Sequence, residues 1–383
     1  MSDAAVKAAY AARRQPREGT PAWPNRRLTG LLGIEHPIVL APMAGLGTPE
    51  LAAAVCAAGG LGSLGCAGMP PQAVMQAIGR LRALTRKPIN INFFCHTSAR
   101  ADSARDASWR DRLAPYYREF GLDPSLPLHP MDMPPFNGAL CAAVEEARPE
   151  VVSFHFGLPE PALLARVKAA GCRVLSSATT VAEARWLEAA GVDAVIAQGN
   201  EAGGHRGTFL AANGGTVSAS QPGTLALVPQ IVDAVAVPVI AAGGIADPRG
   251  IAAAFALGAA GVQIGTAYLL CPEAATTPLY RDALRQADAD ATVLTNAFTG
   301  RTARALASRL TREVGPVYAG TPDFPTAMAA LAPLRTAAEQ QGRRDFSPLW
   351  AGQAAPLARE MPAEGLTREL AEAALGRFRH LGG

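Results

Sequence analysis

The chain has 383 residues, 49% of them hydrophobic and 17% charged, a balance that supports a sizeable core and excludes global disorder. Its net charge of +3 is small and no basic run concentrates it, so neither nucleic acid nor an anionic membrane is expected as a partner. Six scattered cysteines (Cys56, Cys66, Cys95, Cys141, Cys172 and Cys271) lack metal-ligand spacing and read as reduced, buried thiols of a cytoplasmic protein without a metal site.

Residues 1–30 read as an N-terminal arm with no clear element. Without an apolar stretch beside Arg13, Arg14 and Glu18, they do not read as a secretory signal. Eight apolar runs follow between residues 31 and 271, most of them separated by alanine-rich helical patterns. They are "PIVLAP" (37–42), "LGSLG" (61–65), "PININFF" (88–94), "EVVSFHFG" (150–157), "CRVLSS" (172–177), "DAVIAQ" (193–198), "VPVIAAGG" (237–244) and "GVQIGT" (261–266). The runs are continuous rather than alternating, as befits strands covered on both faces, and strand–helix alternation implies a parallel sheet. The fold class is therefore α/β, and the number of units predicts a closed (β/α)8 TIM barrel.

Two regions depart from the repeat. Residues 95–135 are polar, proline-rich and aromatic, and read as a long insertion after the third strand. Residues 272–383 read as a mostly helical second domain packed over the barrel mouth. Within the repeat, Ile251 to Leu270 carries no charge, yet Gly258 and Gly261 interrupt it. A helix, a turn and a strand are predicted there rather than a membrane span.

Gly60, Gly62 and Gly65 satisfy the spacing GxGxxG, but they follow a helical pattern and span the next strand itself. The dinucleotide fingerprint needs the reverse order, with phosphate at a helix N-terminus, so helix capping and close strand packing are predicted instead. Better phosphate candidates are "AAGGIAD" (241–247) and "QIGTA" (263–267), which end the seventh and eighth strands where barrels commonly bind phosphate. A third glycine-rich turn, "QGNEAGGHRG" (198–207), ends the sixth strand and mounts His205, one of six histidines. Near its ordinary pKa of about 6.5, such a histidine suits general-base or anion-binding work.

Taken in order, "HPIVLAPMAG" (36–45), "AGGLGSLG" (58–65), "KPININFF" (87–94), "QGNEAGGHRG", "AAGGIAD", "GVQIGTAYL" (261–269) and "NAFTGRTAR" (296–304) resemble the nitronate monooxygenases, formerly called 2-nitropropane dioxygenases. The resemblance covers roughly residues 30–312. It implies FMN as cofactor, with Pro42, Met43 and Ala44 lining the flavin ring, and Asn92 and Gln198 bonding the ring or ribityl chain. Gly203 and Gly204 would lie against the flavin, and Gly243, Gly244, Gln263, Ile264, Gly265 and Thr266 would hold the phosphate region. His205 matches the family's catalytic histidine. His155 occurs in the branch called class I and would face the substrate.

The resemblance further implies that an alkyl nitronate or propionate 3-nitronate, and also a nitroalkane, reacts with dioxygen to give a carbonyl compound and nitrite. An NAD(P)H-dependent quinone or enoyl-thioester reductase of the same superfamily is the competing enzyme. A flavin-free barrel binding a phosphorylated ligand is the alternative outside that chemistry. The "RGTFLAANGG" after His205 favours the monooxygenase branch. Either a monomer or a homodimer is compatible. Tyr116 and Tyr117 of the insertion, and Trp350, either cover the pocket or pack domains together, and packing is the expectation for all three. His36 and His380 are expected to be structural or solvated, while His96 and His129 carry no pattern.

Overall fold

The computed structural model describes residues 22–98, 102–128, 133–210 and 221–381. All eight apolar runs are strands, named β1 (Ile38–Leu40), β2 (Gly62–Gly65), β3 (Ile89–Phe94), β4 (Val151–His155), β5 (Arg173–Ala178) and β6 (Ala194–Gln198). After a two-residue strand outside the barrel, β7 (Gly204–His205), come β8 (Val239–Ala242) and β9 (Gly261–Ile264). The pairing order is β1-β9-β8-β6-β5-β4-β3-β2, every pair parallel, and a bridge between Val39 and Leu61 joins the two edge strands into a barrel.

Side-chain alternation along each strand divides the core into two layers. Val39, Leu61, Val151, Leu175, Ala194, Ile196 and Ile240 form an inner cluster, whereas Ile38, Leu40, Ile91, Phe93, Val152, Val174 and Val195 pack with the surrounding helices. Each fully buried side chain of this kind contributes roughly 1.5–3 kcal/mol. The helix Arg27–Leu32 begins inside the stretch, residues 1–30, read as an arm without an element. Its Leu28 and Leu32 are buried in the inner cluster, which they plug. Around the barrel, Thr48 and Asp247 cap helices Pro49–Ala57 and Pro248–Ala256, each with proline in the first turn, where a missing N–H costs nothing.

Ascending the barrel, the interior becomes polar. Asn90 Nδ2 donates to Ser63 Oγ at 3.0 Å, and Asn92 Nδ2 donates to Ser153 O and Oγ at 3.1 and 3.0 Å. The glycines of the GxGxxG spacing do pack tightly: a Cβ on Gly65 would lie 2.6 Å from Ala44 N, and one on Gly62 would strike Ala52 backbone. The stretch Ile251–Leu270 is a helix end, a turn, β9 and a 3-10 turn, and no helix of the described residues is long and apolar enough to cross a membrane.

The insertion contains a 17-residue helix, Ser103–Glu119, capped by Asp102 and running through Pro115. It buries Trp109, Leu113, Tyr116 and Tyr117 against the helix Ala327–Gln340 and Phe346. Tyr117 Oη donates to Ala330 O at 2.7 Å and Trp109 Nε1 to Ala327 O at 3.3 Å, so both tyrosines pack structure together.

Expected to be mostly helical, the segment after Cys271 also contains two strands. β10 (Thr292–Thr295) and β11 (Ala303–Leu306) are antiparallel, and the far edge of β11 pairs with β7, Ala303 opposite His205 and Arg304 opposite Gly204. The last helix, Ala363–Leu381, returns to the barrel, where Ala363, Leu366, Leu370, Ala371 and Ala374 join the outer core and Tyr268 Oη meets Thr367 Oγ1 at 2.8 Å. It thus supplies a helix to the barrel's outer layer, while residues 272–362 are interposed between β9 and that helix.

Candidate active site

A cleft of about 370 Å3 opens at the C-terminal ends of the strands. It is lined by Pro42, Met43 and Ala44 after β1, Asn92 and Phe94 on β3, His155 ending β4, Ser177 on β5 and Gln198 ending β6. The loop residues Gly203, Gly204 and His205, then Gly243 and Gly244 after β8 and Gln263, Gly265 and Thr266 around β9, complete that side. Of the residues that the resemblance assigns to the flavin and substrate, Ile264 does not line the cleft. Strand alternation turns it into the outer core, where it is 1% exposed.

One end of the cleft is a backbone cradle. Gly243 and Gly244 have φ of +116° and +69°, which side-chain-bearing residues rarely adopt. Thr266 Oγ1 accepts the Gly352 N–H at 2.9 Å, tying the C-terminal segment to the cradle's rim. Beside it, Glu201 accepts from Thr224 N and Oγ1 at 2.8 Å, which sequesters its carboxylate as an anchor for the next helix. Gln263 Oε1 is buried without a partner among the described residues.

The other end is built around His205. Its Nε2 lies 3.0 Å from Thr299 Oγ1, and its main-chain carbonyl accepts from Gln198 Nε2 at 3.0 Å and from His155 Nε2 at 3.1 Å. A carbonyl only accepts, so His155 carries its proton on Nε2 and its Nδ1 accepts from Ser177 Oγ–H at 3.0 Å. His155 therefore borders the cleft as a brace for the His205 loop, with both ring nitrogens committed. Gln198 is committed too, since its Oε1 accepts the Gly207 N–H at 2.7 Å.

Aromatic rings enclose the His205 imidazole, with centroids at 5.1 Å for Trp350, 5.3 Å for Phe324, 5.9 Å for Phe156 and 6.0 Å for Phe94. Phe156 takes a left-handed backbone (φ +69°) to reach this position, and the buried Arg301 guanidinium stacks 3.9 Å over its ring. Burial drives the His205 pKa down to about 3, with His155, Arg301 and His96 adding to the effect. Burial likewise lowers His155 and His96 to about 4. Arg301, lowered by burial only to about 10, stays cationic at neutral pH.

Trp350, expected to pack structure together, does pack beside the cluster of Trp109, Leu113 and Phe346, and it also lines the cleft against His205. The chain around it bridges to β11 at Ala305 and so brings the ring back over the loop. His36 accepts from Trp23 Nε1 at 3.3 Å, away from the cleft. His129 lies outside the described residues, as does the side chain of His380. Thr299, Phe324, Met328 and Arg335 were not singled out from the sequence, although Thr299 sits inside the "NAFTGRTAR" motif that was. The others come from segments whose composition carries no signal of chemistry.

This architecture defines the class: an α/β-barrel enzyme with its active site at the strand C-terminal ends. Residues 25–373 match the family model described as nitronate monooxygenase, and the chain belongs to that family, whose members are flavin-dependent oxidoreductases. It is 47% identical to nitronate monooxygenase of Pseudomonas aeruginosa over 90% of this chain and 98% of that one. With nitronate monooxygenase of Paraburkholderia phytofirmans the identity is 46%, over 90% and 94% of the two chains. Among solved structures it is similar to nitroalkane oxidase from Streptomyces ansochromogenes, with a TM-score of 0.82 and 40% identity over 93% of this chain and all of that one. It is also similar to FabK from Thermotoga maritima, with a TM-score of 0.70 and 32% identity over 94% of this chain and 99% of that one.

Proposed function

We propose that the protein oxidises nitronates with FMN and dioxygen, releasing a carbonyl compound and nitrite. The observation that carries this reading is the half-buried His205 on the cleft wall, enclosed by aromatic rings and held neutral, with one ring nitrogen committed to Thr299. A base of such low pKa is poorly matched to removing a proton from a neutral nitroalkane. A nitronate has already lost that proton and needs only to be bound and oriented. Thr299 Oγ1 lies 3.3 Å from Arg301 O and 3.0 Å from His205 Nε2; where its single proton goes to the shorter contact, the ring carries its own proton on Nδ1, a donor for a nitronate oxygen. Arg301, stacked on the Phe156 ring, adds positive potential near the imidazole.

FMN fits the residues present. The unpartnered Gln263 Oε1 calls for a donor such as a ribityl hydroxyl, and the Gly243–Gly244 turn offers backbone to a phosphate. Asn92, whose Nδ2 is committed to Ser153, keeps its Oδ1 for the same ligand. Pro42, Met43 and Ala44 would form the opposite wall. Bound there, FMN supplies the electron acceptor and the partner for dioxygen; the protein positions the nitronate and excludes water.

The test is anaerobic mixing of the purified protein with a nitronate and, in parallel, with NADH, after confirming that denaturation releases FMN. The nitronate is expected to change the flavin spectrum at once and NADH slowly or not at all. Rapid reduction by NADH without a response to nitronate overturns the proposal in favour of a reductase.

A further inference from the structure

Arg301 ends a tight turn that also carries Thr299. Gly300 between them takes φ +88°, and a Cβ there would fall 2.0 Å from Pro322 O, so the turn is pressed against the chain that leads to Phe324. Thr299 Oγ1 closes the turn, 3.3 Å from both Arg301 N and Arg301 O. The Arg301 side chain is thereby directed inward, where it is only 8% exposed and its guanidinium carbon lies 3.9 Å above the Phe156 ring. Phe156 is in turn 5.9 Å from the His205 imidazole, which puts the cation within about 10 Å of that ring.

No carboxylate pairs with this cation among the described residues. Its Nη2 donates to Thr208 O at 2.6 Å, and its Nε is a buried donor without a partner. Arg206, the buried guanidinium next to His205 in the chain, differs: its three nitrogens donate to Gln221 Oε1, Gly199 O and Gln198 O. The carboxylate bonded into the same loop is Glu183, 1% exposed, and its oxygens are taken by other donors. Oε1 accepts from Phe209 N and Leu210 N at 2.7 and 3.3 Å, and Oε2 from Thr179 N and Oγ1 at 2.7 and 2.8 Å. Since Thr179 gives its single hydroxyl proton to that carboxylate, Thr208 donates its own to Thr179 Oγ1, 2.9 Å away. Thr208 is thus bonded through its carbonyl to the cation and through its hydroxyl, by way of Thr179, to the anion. Glu183 supports the burial of Arg301 across the loop without a bond between them.

Resting on the nitronate reading above, we propose that Arg301 is a positioning residue that acts through its charge: the guanidinium held by Phe156 and Thr208 supplies the fixed positive potential that draws the anionic head of the substrate to His205. Arg301 stays cationic at neutral pH, and its charge helps to keep His205, His155 and His96 neutral. Burial leaves little solvent to screen it, so it reaches further than a surface arginine would. At an effective dielectric of about 20, a unit charge at about 10 Å changes the affinity for an anion by about tenfold or more.

The test pairs ethyl nitronate with nitroethane, its conjugate acid, which differs by one proton and carries no charge. Arg301→Met removes the charge and keeps a long side chain on Phe156, Arg301→Gln removes it and keeps a donor for Thr208 O, and Arg301→Lys retains it. With FMN-loaded enzyme and oxygen uptake as the readout, both neutral variants are expected to raise KM for ethyl nitronate by about tenfold or more, with kcat within about threefold. Lysine is expected to stay within about threefold of wild type, and the inhibition constant of competing nitroethane is expected to change by less than about threefold throughout. Equal weakening of ethyl nitronate and nitroethane in folded, FMN-retaining variants shows a steric role and overturns the inference. Lysine as impaired as methionine and glutamine overturns it too, as do methionine and glutamine variants within about twofold of wild type. Failure of the wild type to oxidise ethyl nitronate removes the nitronate reading itself, and the role of Arg301 with it.

Discussion

Thr299→Val isolates the contact that holds the His205 imidazole. The substitution keeps the shape of the side chain and deletes the hydroxyl 3.0 Å from Nε2. The rings of Phe94, Phe156, Phe324 and Trp350 otherwise enclose the imidazole. The nitrogen is then buried without a partner, at a cost of about 1–3 kcal/mol. Borne by the bound nitronate, that cost corresponds to a loss of roughly 5- to 150-fold in kcat/KM. The ring would also be free to turn and present the wrong nitrogen.

The assay is steady-state kcat/KM with an alkyl nitronate, measured beside FMN content and thermal stability for Thr299→Val and Thr299→Ser. Serine restores the hydroxyl, so it is expected to recover most of the rate, whereas valine retains FMN and loses activity. Valine within twofold of wild type, or serine as impaired as valine, would falsify the assignment of Thr299 as the residue that positions His205.

Gly203→Ala is expected to destabilise the fold by about 1–3 kcal/mol, because its Cβ would lie 2.5 Å from Gly352 N and 2.7 Å from Ala351 C, backbone atoms that cannot step aside. Chemical denaturation measures this, and a variant as stable as wild type refutes it. Acid is expected to destabilise the protein through its buried histidines. His205, His155 and His96 stay neutral in the fold down to about 3, 4 and 4, whereas unfolded histidine protonates near about 6.5. The unfolded chain therefore binds more protons in that window, and stability falls as pH drops from about 6.5 toward 4. His96→Phe should make the melting temperature less steep in pH there; an unchanged slope sinks the account.

The barrel was legible because its strands are covered on both faces, so runs such as "DAVIAQ" and "VPVIAAGG" are continuous in apolar character and stand out without any alignment. The strand-end glycines were legible for a related reason, since positive φ at Gly243 and Gly244 leaves the chain little choice of residue. β10 and β11 were not legible. "TVLT" and "ARAL" are short and mixed, and β11 pairs on one edge with β10 and on the other with Gly204 and His205, far away along the chain. The helix Ser103–Glu119 was obscured by Pro115 and its polar face, although Trp109, Leu113, Tyr116 and Tyr117 supply the buried stripe. Roles for Phe324, Met328 and Trp350 had no local signal, because each depends on which segment folds back over the mouth.

That dependence changes the meaning of the glycine-rich turn around His205. The glycines do not leave the histidine on a loose tether: Gly204 and His205 form the edge of a three-stranded sheet, and the His205 carbonyl is gripped by His155 and Gln198. Nor do they all make room for the same thing. The space a Cβ would need at Gly203 is filled by the backbone of Ala351 and Gly352, and at Gly207 by the His155 ring, 2.9 Å away. At Gly204, with φ +75°, nothing lies within 4 Å on that side, although the residue borders the cleft. Clearance for a flat ligand is thus assigned to Gly204, whereas Gly203 and Gly207 serve the contacts that hold His205 still. Held by contacts at positions 155, 198, 299 and 303 at once, the His205 imidazole is set before any ligand arrives, the preorganisation that the proposed chemistry calls for.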